Sequence, residues 1–424
     1  MLNIVAILLV LAAVFAFINH RFIKLPSTIG VMALALLVSL ALAALSSLGF
    51  EGLHDYMEEL LKSIDFTAVL MQGMLSLLLF AGALHVDLGK LRTHLWQIGA
   101  LAVLGTIASA LFIGYGAWYL LALTGVALPL AYCLVFGALI SPTDPVAVLG
   151  VLKSARVPED LEVLIAGEAL FNDGVAIVLF ILLAQMALSG QEPTLGGAAL
   201  LFALEGLGGI VFGLAVGTVA FYMIKHINQY EIEVLITLAA VLGAYALANR
   251  IHVSGPIAAV VIGLVIGNQA RALAMSKKSR DRLDIFWDLI DEILNLLLFL
   301  LMGLQVAIIA FPKGWPLAAA IVIAITLAAR ILVVGAPVAL LRGWFRMPAG
   351  AARILTWGGL RGGVSVALAL SLPRGAEADI IVMLTYSVVV FSIFVQGLTI
   401  GAVARAAGEI TCAPSKARRS ARGE

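Results

Sequence analysis

The chain has 424 residues, of which 62% are hydrophobic and 12% charged, with a formal net charge of +1. Soluble domains carry roughly 25% charged residues, so this balance excludes a water-soluble globule and gives nucleic acid nothing to bind. A mean hydropathy of +1.11 points to a chain solvated by lipid.

A helix crossing the bilayer core needs about 20 mostly apolar residues. Thirteen stretches read this way, at 2–19, 26–49, 66–85, 97–124, 126–151, 160–188, 196–224, 231–249, 252–270, 287–310, 314–341, 347–372 and 379–404. The first lacks the basic leader and cleavage site of a signal peptide and reads as a span. The longest loop expected is Glu51 to Asp65, and residues 405–424 are expected to form a short basic tail. Cys133 and Cys412 suggest neither a disulfide framework nor a metal cluster. With the N-terminus outside, 20 of the 26 Lys and Arg residues fall inside and four outside, and Arg330 and Arg361 lie within spans. That bias predicts an external N-terminus and a cytoplasmic C-terminus.

Charges within spans are expensive and mark function. Three acids sit there: Asp144, Glu168 and Asp173. In span five, Pro142 and Pro145 flank Thr143 and Asp144. Each proline removes a backbone donor and crowds the preceding turn, so the helix is expected to open. Unwound backbone at membrane depth must be buried in protein or line a wet cavity. In span six, Glu168 and Asn172 share a face, whereas Asp173 lies about 140° around from Glu168. The two acids therefore serve different partners. Buried Arg330 needs a carboxylate, and Glu168 is the candidate by depth and face. Arg361 stands among Gly358, Gly359, Gly362 and Gly363 in span twelve, which predicts a second broken helix. Gly209, Gly213 and Gly217 in span seven read as a packing stripe.

The two broken spans are seven apart, so they cross in opposite directions. Thirteen spans then divide as six, one and six with inverted halves, as in secondary transporters whose site lies where discontinuous helices meet. Asp144 and Arg361 would neutralise the half-helix ends. The fold class expected is an all-α polytopic membrane protein with about 13 transmembrane helices, inverted repeats and two discontinuous crossing helices.

Four segments carry a resemblance: Ser141-Pro-Thr-Asp-Pro145, Gly167-Glu-Ala-Leu-Phe-Asn-Asp173, Gly358-Gly-Leu-Arg-Gly-Gly363 and Phe391-Ser-Ile-Phe-Val-Gln-Gly-Leu-Thr399. Together they resemble the cation:proton antiporter-1 family of bacterial sodium/proton antiporters and animal sodium/hydrogen exchangers. The resemblance implies a homodimer. It implies a core at about 97–188 and 314–404, a dimerisation part at about 2–85 and 231–310, and a linker span at 196–224. It implies that Asp173 carries the ion or proton, with Asn172 beside it, Thr143 and Asp144 nearby, and a Glu168–Arg330 brace. Asp173 and Thr143 would be the ligands of the transported cation. Ala169 departs from the serine of many members, which removes one hydroxyl ligand.

The function expected is secondary sodium/proton antiport by alternating access in the inner membrane, one cation for one proton, with no cofactor and no enzymatic activity. Hard cations prefer oxygen ligands, and the site offers carboxylate, hydroxyl and carbonyl. The rival readings are a potassium/proton antiporter of the same fold and a cation channel. An intramembrane enzyme lacks any nucleophile, paired-acid or metal motif in the spans.

Overall fold

The structure, a computed structural model, describes residues 2–47, 73–144, 148, 159–189, 195–309, 314–340 and 350–412, and every regular element among them is helical. The expected Glu51–Asp65 loop and the tail end beyond Cys412 lie outside the described residues. Fifteen helices carry the description, in chain order. They are α1 (Leu2–Ile18), α2 (Ser27–Ser47), α3 (Leu75–Leu84), α4 (Thr106–Leu121) and α5 (Leu130–Ile140). Next come α6 (Glu159–Ser189), α7 (Leu195–Lys225), α8 (Tyr230–Arg250), α9 (Gly255–Val265) and α10 (Lys277–Gln305). The last are α11 (Trp315–Arg330), α12 (Ala351–Trp357), α13 (Gly363–Leu370), α14 (Ala376–Phe391) and α15 (Leu398–Cys412).

Eight helices among the described residues are long and apolar enough to cross a membrane, and three further apolar helices are shorter. Apolar residues surround most of them rather than forming one stripe, as expected where lipid and protein are both apolar neighbours. The exception is α10, whose first half carries Lys277, Lys278, Arg280 and several acids. Its start is fixed by Ser276, whose hydroxyl accepts from the backbone N–H of Ser279 at 3.2 Å, an N-cap contact. At the other end of the chain, α15 continues to Cys412, so the helix runs on into the expected basic tail. Nothing from Ala406 to Cys412 stops it, and the first proline is Pro414.

Close packing follows the small residues, as in membrane bundles generally. The Gly209, Gly213 and Gly217 stripe of α7 lies against Ile257, Ala258 and Val265 of α9 and its continuation, so it is a packing face. Gly137 brings α5 onto the Ala110 carbonyl of α4. α2 lies along α10, where the Ser39 hydroxyl donates to the carbonyls of Gly303 and Leu304 at 2.9 and 3.0 Å. α9 lies along α3 in the same manner. Just beyond its end, the Asn268 amide donates to Val86 O at 2.9 Å and accepts from Leu88 N at 2.8 Å. Two apolar clusters result. The larger runs through α1, α2 and the helices around the two breaks. The smaller gathers Phe80, Ile224, Val241, Ile262 and Trp287.

Candidate functional site: two interrupted helices around a buried acid

α5 ends at Ile140, and residues 141–144 are not helical. Pro142 cannot donate to the turn before it, so the ladder stops where the sequence predicts. The second interruption follows α12: residues 359–362 are not helical, and α13 restarts at Gly363. One backbone hydrogen bond joins the two, from Asp144 N to Leu360 O at 2.8 Å. The Arg361 side chain lies across the same junction with only 2% exposure. Its Nη1 donates to the carbonyls of Ser141 and, at 2.8 Å, of Pro142. These are carbonyls just past the C-terminal end of α5, where the helix dipole leaves negative charge. The guanidinium therefore points into the protein interior.

α6 presents its polar residues on separate faces. Glu168 meets Arg330 of α11 through two bonds, Nη1 to Oε1 at 2.5 Å and Nη2 to Oε2 at 3.1 Å, with side-chain exposures of 2% and 8%. The Arg330 Nε donates to Leu355 O at 3.0 Å, so the guanidinium also ties down α12. Gly359 makes room for it, since a Cβ there would lie 2.5 Å from that Nε. One turn further along α6, the Asn172 Nδ2 donates to Thr143 Oγ1 at 2.8 Å, and its Oδ1 accepts from Thr143 N at 3.4 Å. Asn172 thus holds the first interruption against α6. Asp173 turns away from both and is 7% exposed.

Asp173, Thr143 and Asp144 all line one cavity of about 640 Å³. Gly362, Gly363 and Ser365 also line it, as do residues of α3 and α10. Ala169 also lines it, one turn before Asp173, so the methyl that replaces the family hydroxyl faces the cavity. The wall from α10 carries Asp288, Asp291 and Asn295, which were not expected at the site. Their spacing of three and four puts them on one helix face, a signal present in the sequence but meaningless until α10 is placed beside α6. His85 of the α3 end pairs with Asp288, Nε2 to Oδ1 at 3.1 Å, where both are well exposed; this marks the cavity mouth.

Gly362 offers a direct check of the crossing. A Cβ there would overlap the Asp144 carboxylate, and overpacking of this kind costs about 1–3 kcal/mol. Gly362→Ala should lower cation-driven proton flux by about tenfold or more. Gly99→Ala, where a Cβ meets nothing within 4 Å, should leave it unchanged. Equal fluxes for the two variants would show that the close approach is dispensable.

Two interrupted helices crossing at a buried carboxylate define a secondary membrane transporter. The chain belongs to the sodium/hydrogen exchanger family, whose transmembrane model matches residues 7–406. It is 51% identical to the Na(+)/H(+) antiporter NhaP of Pseudomonas aeruginosa over 409 residues, covering 96% of each chain. It is 34% identical to the Na(+)/H(+) antiporter NhaH of Halobacillus dabanensis, covering 92% of this chain and 94% of that one. The fold matches the sodium proton antiporter MjNhaP1 of Methanocaldococcus jannaschii with a TM-score of 0.74 at 17% identity, over 94% of this chain and 98% of that one. The four segments that resemble the cation:proton antiporter-1 family therefore indicate the right group, and within it the NhaP type.

Proposed function

We propose that this chain exchanges sodium ions for protons across the membrane, one for one, at Asp173. The observation that carries the proposal is the placement of that carboxylate. It is buried, faces the cavity between the two interruptions, and has no hydrogen bond or ion pair to the described residues. Such a group crosses the membrane holding either a proton or a dehydrated cation, because an empty buried charge is the costly state. Competition for one carboxylate couples the two fluxes. Thr143 would supply a hydroxyl ligand oriented by Asn172, and Asp144 adds negative charge nearby. Arg361 offsets the carbonyl ends at the break, and Glu168 with Arg330 braces the moving part. Nothing in the mechanism calls for a cofactor.

The layout proposed is thirteen crossings with inverted six-span halves, the N-terminus outside and the chains paired as homodimers. The packing supports the inversion: span two on span ten (α2 on α10) is matched by span nine on span three (α9 on α3). The positive-inside bias puts the His85–Asp288 mouth on the cytoplasmic side, which makes this an inward-open state. The smaller apolar cluster lies mainly in the spans assigned to dimerisation, with the core moving against them.

Stoichiometry follows from a count of carboxylates in the moving core. Glu168 is tied to Arg330, and Asn172 cannot take up a proton near neutral pH. Asp288 and Asp291 stand on α10, in the part that does not move. Asp144 is held at the junction of the two breaks, so one carboxylate is left to exchange. The test is transport into sealed proteoliposomes at clamped voltages. A voltage imposed at a fixed pH gradient should not shift the equilibrium sodium gradient, and potassium and lithium run in parallel will rank the cations. Sodium accumulation driven by voltage alone would mean that a second group titrates, with Asp144 the first suspect.

A further inference from the structure

The fourth sequence segment, Phe391 to Thr399, has no part in the exchange described so far, yet it touches the second interruption at both ends. Here α14 passes into a π-helical turn from Ser392 to Gly397. Ser392 is fully buried and Gln396 nearly so. The backbone N–H of Arg361 donates to the Ser392 hydroxyl at 2.9 Å. That hydroxyl donates to Gln396 Oε1 at 2.9 Å, and Gln396 Nε2 donates to Trp357 O at 3.2 Å. Three bonds in series thus run from the non-helical stretch back to the last residue of α12, clipping the interruption across its width. The Trp357 indole is held by the same segment, donating to Thr399 Oγ1 at 2.8 Å.

The geometry points to Ser392 and Gln396 as positioning residues for cation binding, acting through the stretch 360–362 and not by touching the ion. That stretch meets the first interruption at three consecutive residues. Leu360 accepts from Asp144 N, Arg361 donates to the carbonyls of Ser141 and Pro142, and Gly362 abuts the Asp144 carboxylate. Asn172 holds Thr143 from the α6 side, and 360–362 holds the first interruption from the other, so the placement of Asp144 beside Asp173 depends on how firmly 360–362 is held. An interruption has lost its own helical bonds, so the holding must come from outside it. Two buried side chains whose polar atoms are spent on Arg361 N and Trp357 O perform that task. The relay lies within the α12–α14 region and crosses no boundary between moving parts. Loosening it degrades occupancy of the site and spares the transit step.

This role rests on the exchange reading at Asp173, and the test separates the two. Sodium-driven pH change is measured in proteoliposomes for the wild type, Ser392→Ala, Gln396→Leu and the double variant. Each single change breaks a buried bond in the chain, and the apparent KM for sodium should rise about tenfold, with kcat within about twofold. Because both residues act in one series, the double variant should be no worse than the worse single. If Ser392→Ala does not fold, Gln396→Leu carries the same readout. An unchanged KM overturns the role. So does a fall in kcat at constant KM, or KM penalties that multiply in the double variant. A wild-type protein that shows no sodium-driven exchange removes the exchange reading itself, and this role with it.

Discussion

Asp173→Ala is expected to abolish cation-driven proton exchange while leaving a folded protein of unchanged oligomeric state. The carboxylate is the one cavity-facing acid of α6, and neither Thr143 nor Asn172 can titrate in its place. Removing it takes away both the proton site and the principal anionic ligand, so no residual coupling should survive. Folding should not suffer, because no hydrogen bond or ion pair of the described residues depends on this side chain, and a buried charge held without one costs stability. The check is sodium-driven pH change in proteoliposomes together with a melting curve in detergent. Full exchange by a well-folded Asp173→Ala protein would sink the assignment. Loss of exchange together with loss of folding would make Asp173 a structural residue.

Glu168→Gln should have the opposite profile, with a large loss of stability and little change in ion affinity. Both carboxylate oxygens of Glu168 are engaged by the Arg330 guanidinium. The substitution strands a buried cation, and breaking such a pair typically costs about 3–5 kcal/mol. The loss should spread to α12, since Arg330 also holds Leu355 O. Thermal melting in detergent measures the first effect, and sodium KM for the fraction that remains folded measures the second. A variant with an unshifted melting point and lost sodium binding would make Glu168 a ligand of the ion and not a brace.

These two acids lie five residues apart in one helix, and their separation onto different faces was legible before any coordinates. Helical geometry alone turns Asp173 about 140° from Glu168, and a buried arginine in the same chain needs one carboxylate and not two. The two interruptions were equally legible. Proline lacks the donor that a helix needs, and four glycines around an arginine leave a helix with neither propensity nor side-chain packing. These are local facts, governed by a residue and its near neighbours, so one sequence carries them.

What surrounds the interruptions was not legible, because it depends on pairs remote in the chain. Arg361 was expected at a half-helix end, but which groups it would meet there was not written in the sequence. The guanidinium settles on the bare carbonyls of Ser141 and Pro142, 220 and 219 residues away. Polar main chain exposed by the break is itself an acceptor, and the sequence lists no such acceptor as a residue type. Asp291 and Asn295 carry no signal of a site until α10 is brought to the same cavity as Asp173. Gln396 reads as one polar residue in an apolar run until the carbonyl it must satisfy, Trp357 O, is brought within 3.2 Å. By itself the sequence determined that the chain lives in lipid, where its helices break, and which buried charges must be matched, since each follows from the cost of an unsatisfied group in an apolar medium. Only the tertiary structure decided which distant group does the satisfying. That choice is set by how small residues such as Gly137, Gly359 and Gly362 let backbones approach, and close approach is a property of two helices together.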